Sequence, residues 1–156
     1  MKTVWVSGAS TGIGFATAKK FLNSNWNVII SSSNYEKLLL AKKQLLLRSK
    51  NKELYAYKCD ISDRNQVTET VNKITKQIGN INLAILNAAA YTPNKEQVFS
   101  IQNYEKLIDV NLKGTLFCIE SLINSMKNNQ NHIAIMASPV GYRGLPTGAA
   151  YGLTKA

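Results

Sequence analysis

Ser7-Gly8-Ala9-Ser10-Thr11-Gly12-Ile13-Gly14 decides how this chain is read. A short apolar run, Thr3-Val4-Trp5-Val6, leads into it, and Phe15-Ala16-Thr17-Ala18-Lys19-Lys20-Phe21-Leu22, apolar at helical spacing, leads out. The segment reads as strand, glycine turn, helix. Glycine lacks Cβ and allows backbone angles and close approaches closed to other residues. The first turn of a helix leaves N–H groups unpaired and carries about half a positive charge. A pyrophosphate fits there. The spacing G-x-x-x-G-x-G, set by Gly8, Gly12 and Gly14, differs from the common dinucleotide fingerprint G-x-G-x-x-G. Taken alone, it suits a tight strand-to-helix connection as well as a nucleotide loop.

The rest of the chain keeps the alternation. Trp26-Asn27-Val28-Ile29-Ile30-Ser31, Leu54-Tyr55-Ala56-Tyr57-Lys58, Ile81-Asn82-Leu83-Ala84-Ile85-Leu86 and His132-Ile133-Ala134-Ile135-Met136 are the further predicted strands. Between them a helix opens at Asn34 and runs through Arg48, with Leu38, Leu39, Leu45 and Leu46 on one side as core packing. Another, with Ser62 as N-cap, runs to about Ile78 and spaces Val67, Val71, Ile74 and Ile78 for a core. A loop with Pro93 precedes one or two helices from Ile101 to about Asn128, and a long loop from Ala137-Ser138 leads to a helix starting near Ala149. This order predicts the α/β class, a doubly wound, Rossmann-like parallel sheet of five strands covered on both faces. A ligand of such a sheet lies beyond the carboxyl ends of the strands, where Ser7 to Gly14, Ser32, Asp60, Asn87 and Ser138 fall.

With 156 residues and 45% hydrophobic content, the chain suffices for one core, and a single domain over 1–156 is expected. No apolar stretch approaches the roughly 20 residues of a membrane span, and no secretory signal is read at the N-terminus. No membrane partner is expected. Cys59 and Cys118 stand outside any C-x-x-C spacing, so neither a metal site nor a redox pair is indicated, and a reducing cytoplasm is the simplest setting. Nineteen Lys+Arg against nine Asp+Glu give a formal charge of +10, which raises nucleic acid as a partner. The basic residues, however, are spread among helices, and the one denser cluster, Arg48, Lys50 and Lys52, lacks interleaved aromatics. Solvated helix faces are the favoured reading, with no nucleic acid expected.

Tyr151 and Lys155 stand at i and i+4 of the last predicted helix and so face the same way. That pairing alone is common on helix surfaces. Across nearly the whole chain, however, the ordered set of the glycine turn, Asp60, Leu86-Asn87-Ala88, Asn111, Ser138 and Y-x-x-x-K resembles the short-chain dehydrogenase/reductase family. The resemblance implies an NAD(P)-dependent oxidoreductase moving a hydride between nicotinamide and a small-molecule carbonyl or alcohol. Tyr151 would be the general acid/base, since a phenol needs a neighbouring cation to work near neutral pH. Lys155 would provide that cation and hold the nicotinamide ribose. Ser138 would bind the substrate oxygen, and Asn111 would support a water chain from the lysine. The same resemblance gives Gly8, Ser10, Gly12, Ile13 and Gly14 to the pyrophosphate, Asp60 and Ile61 to the adenine, and Asn87 and Ala88 to the nearby ribose. Read from the residues alone, Asp60 also suits a cap before the next helix, and Asn111 a side chain satisfying local backbone.

NADP(H) is expected over NAD(H). An acid at the end of the second strand would bind a ribose 2′-OH and repel a 2′-phosphate, and Ser31-Ser32-Ser33-Asn34 contains none. The hydroxyls of Ser32 and Ser33 are placed to donate instead, although Thr11 and Ser33 stand where the family often has basic residues. Position 7 is Ser where the family usually has Thr. Ala89 replaces the last glycine of its N-N-A-G, at about 1–2 kcal/mol if a left-handed backbone is needed there. The sequence ends at Ala156, where the family continues through further strands and a substrate lid. The run Ile133 to Met136 is therefore expected to form an exposed apolar edge. Poor catalysis by this piece alone is expected, with a homo-oligomer for the full-length family form. Tyr91, Val140, Tyr142 and Leu145 are expected to border the substrate pocket. A catalytically silent dinucleotide-binding fragment or interaction module is the alternative.

Overall fold

The computed structural model of the chain describes residues 1–47, 49–50, 53–92, 99–126, 131–146 and 148–156. Arg48 and Lys52 of the basic cluster, Pro93 of the predicted loop and Asn128 at a predicted helix end lie outside the described residues. Strands β1 (Thr3–Ser7), β2 (Asn27–Ser32), β3 (Leu54–Lys58), β4 (Leu83–Leu86) and β5 (His132–Ile135) form one sheet in the order β3-β2-β1-β4-β5. Every pairing is parallel. Helices α1 (Gly12–Asn23), α2 (Tyr35–Leu47), α3 (Arg64–Gln77), α4 (Ile101–Leu107), α5 (Gly114–Ser125) and α6 (Ala149–Leu153) make the connections. The order reverses between β1 and its two neighbours, β2 and β4, so a crevice opens at the end of β1.

Alternation along β1 builds a core on each face. Val4 and Val6 pack with Ala18, Leu22, Leu38 and Leu45, the α1–α2 side. Trp5 points the other way, into Val67, Val71, Ile74, Cys118 and Leu122 of α3 and α5. Its ring is fully buried, and the indole N–H donates to Ser31 Oγ on the next strand at 2.9 Å, which satisfies the one polar atom that burial would strand. The buried stripe of α2 is narrower than the leucines imply. Leu38, Ala41 and Leu45 are buried at 3–4 spacing, whereas Leu39 is 44% exposed, a helical step of about 100° away from Leu38. At the other side of the sheet β5 pairs with β4 alone among the described residues; Ile135 is 55% exposed, while Ile133 and Met136, expected in the same exposed run, pack against the two cores.

The N-cap of α3 is Asp63 rather than Ser62. The Asp63 carboxylate accepts from Asn65 N at 2.9 Å and Gln66 N at 3.1 Å. Ser62 is drawn off by Asp60, whose Oδ1 accepts both its N–H at 3.0 Å and its hydroxyl at 2.7 Å. The Gln66 side-chain amide, with the backbone N–H groups, holds the Asp63 carboxyl below its ordinary range. A carboxylate with a lowered folded pKa stabilises the fold above its unfolded pKa and loses that contribution as pH falls through the folded value. Asp63→Ala should therefore lower the melting temperature at neutral pH, with the two melting curves converging in acid. A gap that persisted in acid would place the cap's effect elsewhere than in the charge.

Between α4 and α5 the helical run widens into a π segment, Ile108–Lys113. Such a segment holds an extra residue per turn and redirects side chains. Here Asn111 turns inward and is 5% exposed. Among the described non-glycine residues, positive φ occurs at Asn25, so Ala89 carries no left-handed strain.

Candidate functional site

The glycine turn is fastened to the ends of β2 and β4. Gly8 has φ +65°, and a Cβ there would lie 2.6 Å from Ala88 Cα, so the approach of β1 to the β4 exit requires glycine. The Ser7 hydroxyl accepts from Asn87 N and Ala88 N, each at 3.1 Å, so serine retains the use a threonine hydroxyl would have. In return, Asn87 Nδ2 donates to the carbonyls of Ser7 and Gly8 at 3.1 Å. On the other flank Ser10 Oγ and Ser32 Oγ share a hydrogen bond at 3.1 Å. Gly14 packs under the turn, where a Cβ would come within 2.5 Å of the Gly8 carbonyl.

Gly12 differs from both. It has φ +59°, and a Cβ built on it would meet nothing within 4 Å. The N–H groups of Gly12, Ile13 and Gly14 have no backbone partner among the described residues, Thr11 does not cap the helix with its side chain, and the first turn holds no acid. Unpaired donors, the positive end of a helix and an open face are what a pyrophosphate needs. The residues present fit a dinucleotide.

A cleft of about 530 Å³ extends from this point. It brings together Gly8, Ser10, Gly12 and Ile13 of the turn with Ser32 and Ser33 after β2. Asp60 and Ile61 after β3, and Asn87 and Ala88 after β4, complete the expected lining. Gly14 lies beneath the lining rather than in it. Ile61 is 5% exposed, held mostly in the core, with Gly114 so close that a Cβ would lie 2.9 Å from the Ile61 carbonyl oxygen. Asp60 is not the cap of the next helix, a role taken by Asp63; its carboxylate is engaged with Ser62 and still borders the cleft. Sequence reasoning missed Lys106 and Val110, which also line it. Nothing in the sequence separates Lys106 from the other lysines spread among the helices, and Val110 reaches the cleft from the π segment.

The second cluster lies at the ends of β4 and β5. Lys155 follows α6 by two residues, but its N–H bonds to the Gly152 carbonyl at 3.0 Å and prolongs the turn. Its Nζ donates to Met136 O at 2.9 Å and stands 5.8 Å from the centroid of the Tyr151 ring. Half-burial pushes the Lys155 pKa down. Tyr91 meets Tyr151 edge to face, with centroids 5.0 Å apart and planes at 71°. Ser138 caps the short 3-10 turn Pro139–Gly141, its hydroxyl accepting from Val140 N at 3.4 Å, and no hydrogen bond joins it to Tyr151 or Lys155 among the described residues. The Asn111 amide is fully engaged. Its Oδ1 accepts from Ala90 N at 2.7 Å, while Nδ2 donates to Ala90 O and Thr154 Oγ1, both at 3.0 Å.

A separate cavity of about 310 Å³ adjoins Tyr151, walled by Thr92, Phe99, Ser100, Asn103, Tyr104, Pro146 and the residues from Gly148 to Ala150. Tyr91, Val140, Tyr142 and Leu145, expected around the substrate, are not among the residues lining this cavity. Val140 is buried against Gly148 and Gly152, and Tyr142 is 95% exposed. Tyr91 and Leu145 are each 55% exposed outside the cavity walls. Both cysteines are free and buried, and desolvation pushes the Cys118 thiol up to about 12. No cluster of metal ligands occurs among the described residues. No helix among them is long and apolar enough to cross a membrane.

The short chain dehydrogenase family profile matches residues 2–156. An uncharacterized oxidoreductase of Staphylococcus epidermidis is 28% identical over 156 residues, 99% of this chain and 66% of that protein. Sorbose reductase of Candida albicans is 31% identical over 139 residues, 88% of this chain and 49% of that protein. Among solved structures, a glucose/ribitol dehydrogenase-type short-chain dehydrogenase/reductase from Brucella melitensis superposes with TM-score 0.89 at 26% identity, covering 99% of this chain and 61% of that one. The chain thus spans about two thirds or less of the length of these relatives. A glycine turn stitched to both neighbouring strands, a π-turned Asn111 and the Tyr151–Lys155 pair agree with a profile match over essentially the whole sequence: the chain belongs to the short chain dehydrogenase family.

Proposed function

We propose that residues 1–156 act as one dinucleotide-binding domain of an NAD(P)-dependent oxidoreductase that interconverts a carbonyl and an alcohol. The observation that carries this reading is the Tyr151–Lys155 pair in a chain whose cleft begins at an open, left-handed Gly12. The N–H groups of Gly12, Ile13 and Gly14 hold the pyrophosphate, with the fixed turn of Gly8 and Ser10 beneath it. Asp60 and Ile61 receive the adenine, and Asn87 and Ala88 the adjoining ribose. The nicotinamide dinucleotide supplies or accepts the hydride. Tyr151 gives the proton to the carbonyl oxygen, or takes it from the alcohol, at its phenol oxygen. The Lys155 ammonium, steadied by Met136 O, stabilises negative charge developing on that oxygen. Ser138 orients the substrate oxygen, and Asn111 ties the segment after β4 to the end of α6. The names of the relatives, a sorbose reductase and a glucose/ribitol dehydrogenase, support a small carbonyl or alcohol as substrate. Free, buried thiols support a reducing compartment, the cytoplasm.

NADP(H) is the preferred cofactor. The end of β2 presents the Ser32 and Ser33 hydroxyls and no carboxylate, and Lys106 adds a cation to the cleft. Titration of the chain with NADPH and NADH, followed by nucleotide fluorescence, should give tighter binding of NADPH. Tighter NADH would overturn the preference. Failure to bind either would overturn the dinucleotide reading, and binding without turnover of a reactive dicarbonyl would leave the silent fragment as the better description.

A further inference from the structure

Tyr91 stands on a loop, 55% exposed, yet it makes the aromatic contact to Tyr151. An edge-to-face pair at 5.0 Å favours one ring orientation over others. Its place is set from below. Ala90, the preceding residue, has both its N–H and its carbonyl taken by the Asn111 amide. The same amide donates to Thr154 Oγ1, and the Thr154 hydroxyl donates to Tyr151 O at 2.8 Å. One buried side chain therefore fixes the backbone next to Tyr91 and the turn that carries Tyr151, so the spacing of the two rings is a built distance.

We propose that Tyr91 is a positioning residue for Tyr151, its ring acting as a brace that the Asn111 clamp holds in register. The role rests on the function proposed above for Tyr151. It requires the ring and not the hydroxyl, because the contact is between ring edge and ring face. Tyr91→Phe should thus behave as the parent protein, and Tyr91→Ala should release Tyr151 into several orientations. Exposure at position 91 makes both substitutions compatible with folding.

The test has two arms on the full chain. With ring-labelled tyrosine, the Tyr151 resonance, assigned by its loss in Tyr151→Phe, should shift or broaden in Tyr91→Ala and coincide with the parent in Tyr91→Phe. In NADPH-dependent reduction of a dicarbonyl, Tyr91→Ala should lower kcat by about 10- to 100-fold, the cost of slight misplacement of a reacting group, with KM for NADPH nearly unchanged. Tyr91→Phe should retain parental kcat. A Tyr151 resonance unmoved in Tyr91→Ala would overturn the proposal, as would equal losses of kcat in the alanine and phenylalanine variants. Absence of turnover in the parent would count against the enzymatic reading instead, and the resonance arm would still decide the contact.

Discussion

Tyr151→Phe is expected to lower carbonyl reduction by about 10²- to 10⁴-fold, the range set by loss of a positioned general acid. Cofactor affinity should stay near the parent value. The separation follows from what each part of the residue touches. Phenylalanine keeps the ring that meets Tyr91 at 5.0 Å and lies 5.8 Å from Lys155 Nζ, so the packing around α6 persists. What it removes is the hydroxyl, the atom proposed to exchange a proton with substrate. The glycine turn and the ends of β2 and β3, proposed to hold the dinucleotide, stand apart from that hydroxyl. Lys155→Ala should behave differently. It removes the cation beside the ring and also the tether to Met136 O, so kcat and cofactor affinity should fall together. Single-turnover kinetics beside fluorescence titration read both quantities. Retention of more than about a tenth of parental turnover by Tyr151→Phe, well above the loss expected of a general acid, would remove Tyr151 from the proton-transfer role.

The strands were legible because a parallel sheet covered on both faces demands unbroken apolar runs, and residues 4–6, 28–30 and 54–57 are such runs within β1, β2 and β3. The cleft was legible because topology alone sends the residues after β1, β2, β3 and β4 to one rim. Local competition was not. Ser62 and Asp63 are both good caps, and Asp63 takes the role because Asp60 captures the Ser62 hydroxyl, a contact no propensity encodes. The π segment leaves the apolar pattern of α4 and α5 almost undisturbed, so the arrival of Val110 at the cleft lacked a sequence signal, while Asn111 stood out through the family resemblance and not through periodicity. Pairing of Tyr91 with Tyr151 joins two segments distant in sequence that a single amide brings together.

Gly8 and Gly12 should separate sharply in their cost. Gly8→Ala places a methyl 2.6 Å from the Ala88 Cα, a backbone atom that cannot swing aside, and adds about 1–2 kcal/mol for a side chain at φ +65°. Relief requires β1 and the β4 exit to part. That motion stretches the bonds from Asn87 N and Ala88 N to the Ser7 hydroxyl and from Asn87 Nδ2 to the Ser7 and Gly8 carbonyls, each contributing about 0.5–1.5 kcal/mol. Taking the low end of these terms, about 3 kcal/mol, the melting temperature of a chain this size falls by at least about 6–12 °C. Gly12→Ala meets open space, so its cost is the left-handed backbone alone, about 1–2 kcal/mol and a few degrees. Its methyl nevertheless enters the face proposed for the pyrophosphate, so its NADPH affinity should fall more than its stability does. Thermal melts and NADPH titrations of the two variants give four numbers. Equal melting temperatures for Gly8→Ala and Gly12→Ala would show that the Ala88 contact does not limit the turn, and unchanged NADPH binding by Gly12→Ala would move the pyrophosphate away from the N-terminus of α1.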